Sequence, residues 1–215
     1  FERECHIIAA SYRKSPMLYR VSQFWSHLNR KHEEELEKFR YENFKQTINA
    51  NYFQFKLTKR SPYLWNLFSR VSRRALWDAA VKSRIAHSPF SAFKSFLYKY
   101  YTCLHYEFVK ERDPLGLLER IEEPQEGNPQ RIRYKGKLIS SDISNSVLEF
   151  CSLEEVAQLS KMPSVTVAEL GAGYGRLAFA VLSVLANKEV KYCIFDVPPA
   201  LCVAQRYLAA VFPRL

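Results

Sequence analysis

Glycine is scarce in this chain, six residues in 215, and half of them fall between positions 171 and 175. Cysteine is sparse and odd in number: Cys5, Cys103, Cys151, Cys193 and Cys202 are scattered, with no CxxC pair and no Cys/His cluster. That spacing excludes a disulfide framework and a zinc site, and points to a reducing, cytoplasmic setting. Cys193 and Cys202 lie in apolar runs and read as buried thiols. No apolar run reaches the ~18 residues a membrane helix needs; residues 177–186 come nearest and follow a glycine-rich turn. The start, Phe1-Glu-Arg-Glu-Cys5, has neither the basic-then-apolar layout of a signal peptide nor an initiator methionine. The expectation is therefore a fragment of a longer chain. There is no internal repeat and no low-complexity tract.

What is present is the composition of a globular protein, 47% hydrophobic and 25% charged. The net charge of +10 is lopsided: residues 1–112 carry 21 Lys/Arg against 10 Asp/Glu, and residues 113–215 carry 11 against 12. A basic half of this kind attracts nucleic acid, anionic lipid or phosphorylated substrates, or is simply a solvated helical surface; both readings stand.

The first half reads as helical. Residues 17–60 place Phe24, Leu28, Leu36 and Phe39 near helical spacing, with Glu33, Glu34 and Glu35 on the wet side. Residues 41–55 are rich in aromatics and amides. Ser61-Pro62 and Ser88-Pro89 restart helices, the first carrying a stripe of Leu64, Leu67, Phe68 and Val71. Residues 90–109, dense in Phe and Tyr, read as a buried helix. A short helix over 115–121 leads into a loop at 122–129. Lys135-Gly136 then separates two short strands as a hairpin. Ser140, Ser141 and Asp142 offer caps for a helix reaching about Lys161, buried through Val147, Leu148, Cys151, Val156 and Leu159.

From Ser164 the pattern changes. Residues 165–170 are a short β-branched run, read as a buried parallel strand. A turn at 171–175, a helix over 176–187, a second strand at 190–195 and a helix over about 200–211 complete one βαβ unit and the helix after it. Glycines 171, 173 and 175 suit a sharp turn that a ligand approaches closely, and the following helix points free N–H groups at that ligand. Asp196 stands 21 residues after Gly175, where nucleotide-binding units place a carboxylate for ribose hydroxyls; capping the next helix is its other reading. NAD sites favour GxGxxG, which seats a diphosphate. The GxGxG spacing here, with Glu169 before it, favours the phosphate-free, ammonium-bearing cofactor S-adenosylmethionine. Glu169 reads equally as a strand-end residue bonded to the turn, and Arg176 as a partner of Glu169 or of the ligand carboxylate.

Glu169-Leu-Gly-Ala-Gly-Tyr-Gly-Arg-Leu177 resembles motif I of class I S-adenosylmethionine-dependent methyltransferases, and Phe195-Asp-Val-Pro-Pro-Ala200 resembles their acidic post-strand motif. With Glu42-Asn-Phe-Lys-Gln-Thr-Ile-Asn-Ala-Asn-Tyr-Phe53, Glu123-Pro-Gln-Glu-Gly-Asn-Pro129 and Ser141-Asp-Ile-Ser-Asn-Ser-Val-Leu-Glu149, the chain resembles a bacterial family of sugar O-methyltransferases over roughly residues 20–215. The resemblance implies an α/β fold. A helical N-terminal, substrate-covering region (1–122) precedes a loop and hairpin linker (123–140) and the truncated start of a Rossmann-like domain (141–215). It implies S-adenosylmethionine bound by Glu169, Gly171, Ala172, Gly173, Tyr174, Gly175, Arg176 and Asp196. The acceptor is then a saccharide or small molecule, with no nucleic acid, no metal and no transmembrane segment. A catalytic base is expected beyond residue 215, so none is named here. His27, His32, His87 and His105 lie on helical stretches and read as surface or packing residues rather than bases, and His6 sits near the expected cut end. Asn128 and Asn145 are either acceptor contacts or ordinary loop and cap residues. An RNA methyltransferase and an inactive truncated product are the competing expectations.

Overall fold

The computed structural model describes residues 2–14, 16, 22–46, 72–82 and 92–213. The restarts at Ser61-Pro62 and Ser88-Pro89, the stripe from Leu64 to Val71, and His87 lie outside the described residues. The described elements are α1 (Glu2–Lys14), α2 (Gln23–Phe39), α3 (Arg73–Lys82), α4 (Ala92–Lys110), α5 (Leu117–Arg120), β1 (Ile132–Tyr134), β2 (Lys137–Ile139), α6 (Ser141–Ala157), β3 (Ser164–Leu170), α7 (Arg176–Val184), β4 (Glu189–Phe195) and α8 (Pro198–Val211). The described residues thus mix helix with two small two-stranded sheets. Two compact units are discontinuous in sequence: Phe1–Gln54, Glu126–Asn128 and Met162–Leu215 form the first, and Phe55–Gln125 with Pro129–Lys161 the second.

In the second unit α3 and α6 pack on α4, and β1 pairs antiparallel with β2 in the register Ile132↔Ile139. The hairpin turn has positive φ at both central residues, Lys135 at 47° and Gly136 at 84°, as a type I′ turn requires. Ser140 caps α6 by accepting the Ile143 amide at 3.0 Å, and Gln158 closes it in the left-handed conformation. The buried face of α6 is Ile143, Ser144, Ser146, Val147 and Phe150. Leu148 and Cys151 are half-buried and Leu159 is buried, but Val156 is exposed. The face turns with the 3.6-residue period, so the last turn of the helix swings its valine to solvent.

In the first unit α1 and α2 pack against α8. The stripe expected on α2 is not its buried face: Phe24 and Phe39 are exposed, and Asn29 and His32 are buried instead. Leu28 and Leu36, half-buried, flank His32 at i, i+4 spacing, so the buried stretch is the middle of the helix, and Phe24 and Phe39 lie in its first and last turns. β3 pairs parallel with β4 from Ser164↔Glu189 to Leu170↔Phe195. The strand is less buried than its β-branched composition suggests. Val165 is inside, but Leu170 is 89% exposed and its partner Phe195 is 56% exposed. Successive residues alternate between faces, and one face of this two-stranded sheet carries Leu170, Phe195 and the half-buried Cys193. Cys202, on α8, is buried as expected. The core of the unit lies in Ala178, Ala180 and Val181 of α7, and Val203, Ala204 and Tyr207 of α8. α8 opens with Pro198 and Pro199 in its first turn, where a missing N–H costs nothing.

Among the described residues no helix is long and apolar enough to cross a membrane, and no group of three His, Cys, Asp or Glu side chains is placed to hold a metal ion.

Candidate functional site

Past the end of β3 the chain turns on three glycines. Gly171, Gly173 and Gly175 all have positive φ, at 79°, 60° and 85°, a region in which residues with a Cβ are strained. The Gly171 amide still donates to the Phe195 carbonyl at 2.8 Å, continuing the ladder one residue past β3. Gly175 then donates to Ala172 at 3.0 Å and becomes the N-cap of α7, with no side chain capping the helix. The glycines answer different demands. A Cβ on Gly171 would meet nothing within 4 Å, whereas one on Gly175 would lie 3.1 Å from Leu208 Cδ1 on α8. Gly171 keeps an exposed backbone above the strand end; Gly175 allows helix packing.

Asp196, the first residue past β4, ties the turn to the second strand. Its Oδ2 accepts the Gly173 amide at 2.6 Å, and its Oδ1 accepts the Val197 amide at 2.7 Å. It does not cap α8, whose N-cap is Val197 without a side-chain bond. Burial raises the Asp196 carboxyl above its ordinary range, while the bonds from Val197 and Gly173 act against that rise. Glu169 is half-buried one residue before the end of β3, and its Oε2 accepts the Tyr192 hydroxyl of β4 at 2.7 Å. The bond runs across the strands rather than into the turn. Arg176 opens α7 and is half-buried.

Glu169, the glycines and Asp196 are thus assembled at the carboxyl ends of β3 and β4, the edge on which open α/β sheets bind ligands. Two neighbours face inward. Ala172 is buried, and the Tyr174 ring, 3% exposed, packs edge-on to Phe44 and Tyr207 at 5.1 and 5.3 Å. Of these two residues, only the backbone faces the turn's outer side. Behind the turn lie the rings of Phe44 and Tyr207 and the side chain of Lys45, none of them among the site residues expected from the sequence. The available signal was the aromatic and amide-rich stretch at 41–55.

Asn128, at φ 53°, donates from Nδ2 to Asn43 Oδ1 at 2.7 Å within the first unit. Asn145 is half-buried on α6 in the second unit. His27 is exposed near Arg30, His105 is buried and stacked on Tyr101, and His32 is buried. Burial lowers the His32 pKa from 6.5 to about 4. No family model, curated protein or solved structure matches the chain.

Proposed function

We propose that β3, the glycine turn, α7 and β4 begin a Rossmann-like domain that binds S-adenosylmethionine, and that the protein is an O-methyltransferase acting on a sugar hydroxyl. The observation that carries the reading is the Asp196–Gly173 bond at the carboxyl end of a parallel pair, beneath three glycines of positive φ. The residues suit the cofactor chemically. A carboxylate offers about four acceptor sites, and the two backbone bonds to Asp196 leave capacity for ribose hydroxyls. Glu169 brings negative charge to the strand end, where the ammonium of the methionine tail would lie. Open space above Gly171 admits a ligand to the backbone. Arg176, at the start of α7, suits the tail carboxylate.

The cofactor supplies a methyl group already activated on sulfonium. The protein's share is to bind it, align an acceptor oxygen with it and exclude water; a sugar hydroxyl also needs a general base, which none of the named residues provides. A cytoplasmic setting belongs to the same proposal. Isothermal calorimetry with S-adenosylmethionine tests the reading directly. Binding that Asp196→Ala abolishes supports it, and absence of binding to the wild-type protein overturns it.

One observation favours an RNA acceptor. In the second unit Trp77 is 59% exposed, edge-on to Phe96 at 5.5 Å, and Phe96 stacks on Tyr100 at 6.3 Å, with the charge of Arg73 acting on Tyr100. An exposed ring beside a basic side chain suits single-stranded bases. Steeply salt-dependent RNA binding that Trp77→Ala weakens would move the acceptor from sugar to RNA.

A further inference from the structure

The least expected buried group in the first unit is a lysine. Lys45 is 1% exposed, although an ammonium taken out of water is costly unless something replaces its hydration. Aromatic rings do so here. Nζ lies 4.5 Å from the Tyr207 ring centroid, 5.2 Å from Tyr174 and 6.0 Å from Phe44, within the range of cation–π attraction. It also donates to Tyr207 Oη at 3.4 Å.

The cage is built from distant parts of the chain, and each is pinned. The Lys45 amide donates to the Gly127 carbonyl at 2.9 Å. Asn128 holds Asn43. The Phe44 ring occupies the space a side chain at Gly127 would need: a Cβ there would fall 2.3 Å from Phe44 Cε1. Tyr174 is the residue between Gly173 and Gly175, so the ring facing Lys45 and the amides bonded to Asp196 and Ala172 belong to one short stretch of backbone. Tyr207 lies one residue from Leu208, which limits the space at Gly175.

We propose that Lys45 is a positioning residue for the glycine turn: its ammonium gathers Tyr174 and Tyr207, and so holds the turn, with the Gly173 amide on Asp196 and the Gly175 amide on Ala172, in the shape that ligand binding requires. The proposal rests on the cofactor reading for the identity of the ligand, but not for the coupling between cage and turn. A purely space-filling role makes a different forecast, because methionine fills a similar volume without charge.

Amide NMR spectra and calorimetry on the full chain separate the two. In Lys45→Met, melting stays cooperative, the Gly173 and Gly175 amide signals move, and those of Gly116 and Gly136 in the second unit stay in place. Affinity for S-adenosylmethionine falls about tenfold, and Lys45→Arg recovers part of it. Unmoved Gly173 and Gly175 signals, or a methionine variant that binds as tightly as wild type, overturn the proposal. Should Lys45→Met fail to fold, Tyr207→Phe keeps every ring and removes only the oxygen beside Nζ; unmoved turn amides there overturn it equally, and displaced ones support it. Absence of cofactor binding by the wild type removes the methyltransferase reading alone, since the amide shifts still decide the role of Lys45.

Discussion

The carboxylate of Asp196 grips the amide of Gly173, 23 residues earlier in the chain, at 2.6 Å, and so joins the ends of two parallel strands through the glycine turn. Replacing Asp196 by alanine removes both backbone bonds. Charge-assisted bonds of this kind contribute about 1.5–3 kcal/mol each, offset in part because a buried charge is also removed. The expected result is a net loss of about 2 kcal/mol in urea unfolding, with loss of S-adenosylmethionine binding.

The same carboxylate carries a pH signature. Its folded-state pKa lies above the ordinary value of 3.8 because burial penalises the charge. The fold therefore favours the protonated form, and the stability this group contributes is complete below the ordinary aspartate range and is lost as pH rises through the folded value. Asp196→Asn cannot ionise. Melting temperatures of the two proteins, measured from acid toward neutral pH, should show the wild type losing ground to the variant across that window.

Gly175 and Gly171 share a positive φ but not their surroundings. Gly171→Ala incurs only the strain of the left-handed conformation, about 1–2 kcal/mol. Gly175→Ala adds a contact at 3.1 Å with Leu208 and should cost roughly 1 kcal/mol more. Leu208→Ala, destabilising by itself, should recover that second part in a double-mutant cycle followed by denaturant unfolding, and none of the first.

His32 makes the protein acid-sensitive. Its pKa falls from 6.5 to about 4 through burial, so the unfolded chain takes up a proton that the folded chain refuses. The associated stability is complete above pH 6.5 and drains away as pH falls toward about 4. The whole effect is on the order of 3 kcal/mol. His32→Gln should flatten the stability profile across this interval in chemical unfolding.

Ser140 supplies the cap of α6 and also donates to Glu123. Ser140→Ala should cost about 1 kcal/mol, and Ser140→Thr should retain most of it, measured by thermal unfolding.

The βαβ unit was legible because local rules agree there: a β-branched run, glycines at a turn that needs positive φ, and prolines at the start of a helix. The hairpin at Lys135-Gly136 and the cap at Ser140 were legible for the same reason. What escaped was decided by packing. Phe24 and Phe39 have the spacing of a buried stripe, yet α2 turns Asn29 and His32 inward. Lys45 escaped most completely, since hydropathy assigns lysine to water, and the rings around it, two of them more than a hundred residues away, act against that assignment. In the candidate site, Glu169 and Asp196 were recognisable by position. The Tyr192 hydroxyl bonded to Glu169 was not, because a tyrosine in a strand gives no sign of which carboxylate it will face.

The cage around Lys45 also sets an order of events in the cell. Lys45 and Tyr207 stand 162 residues apart, and a ribosome adding about 5–20 residues per second needs on the order of ten to thirty seconds to deliver the second after the first. Until then the cage around the lysine is incomplete, with Phe44 beside it but Tyr207 still to come. The turn at Gly171–Gly175 emerges late in the same interval, so this end of the unit can take its final form only once Tyr207 has been made, when sequence-distant contacts at last become affordable.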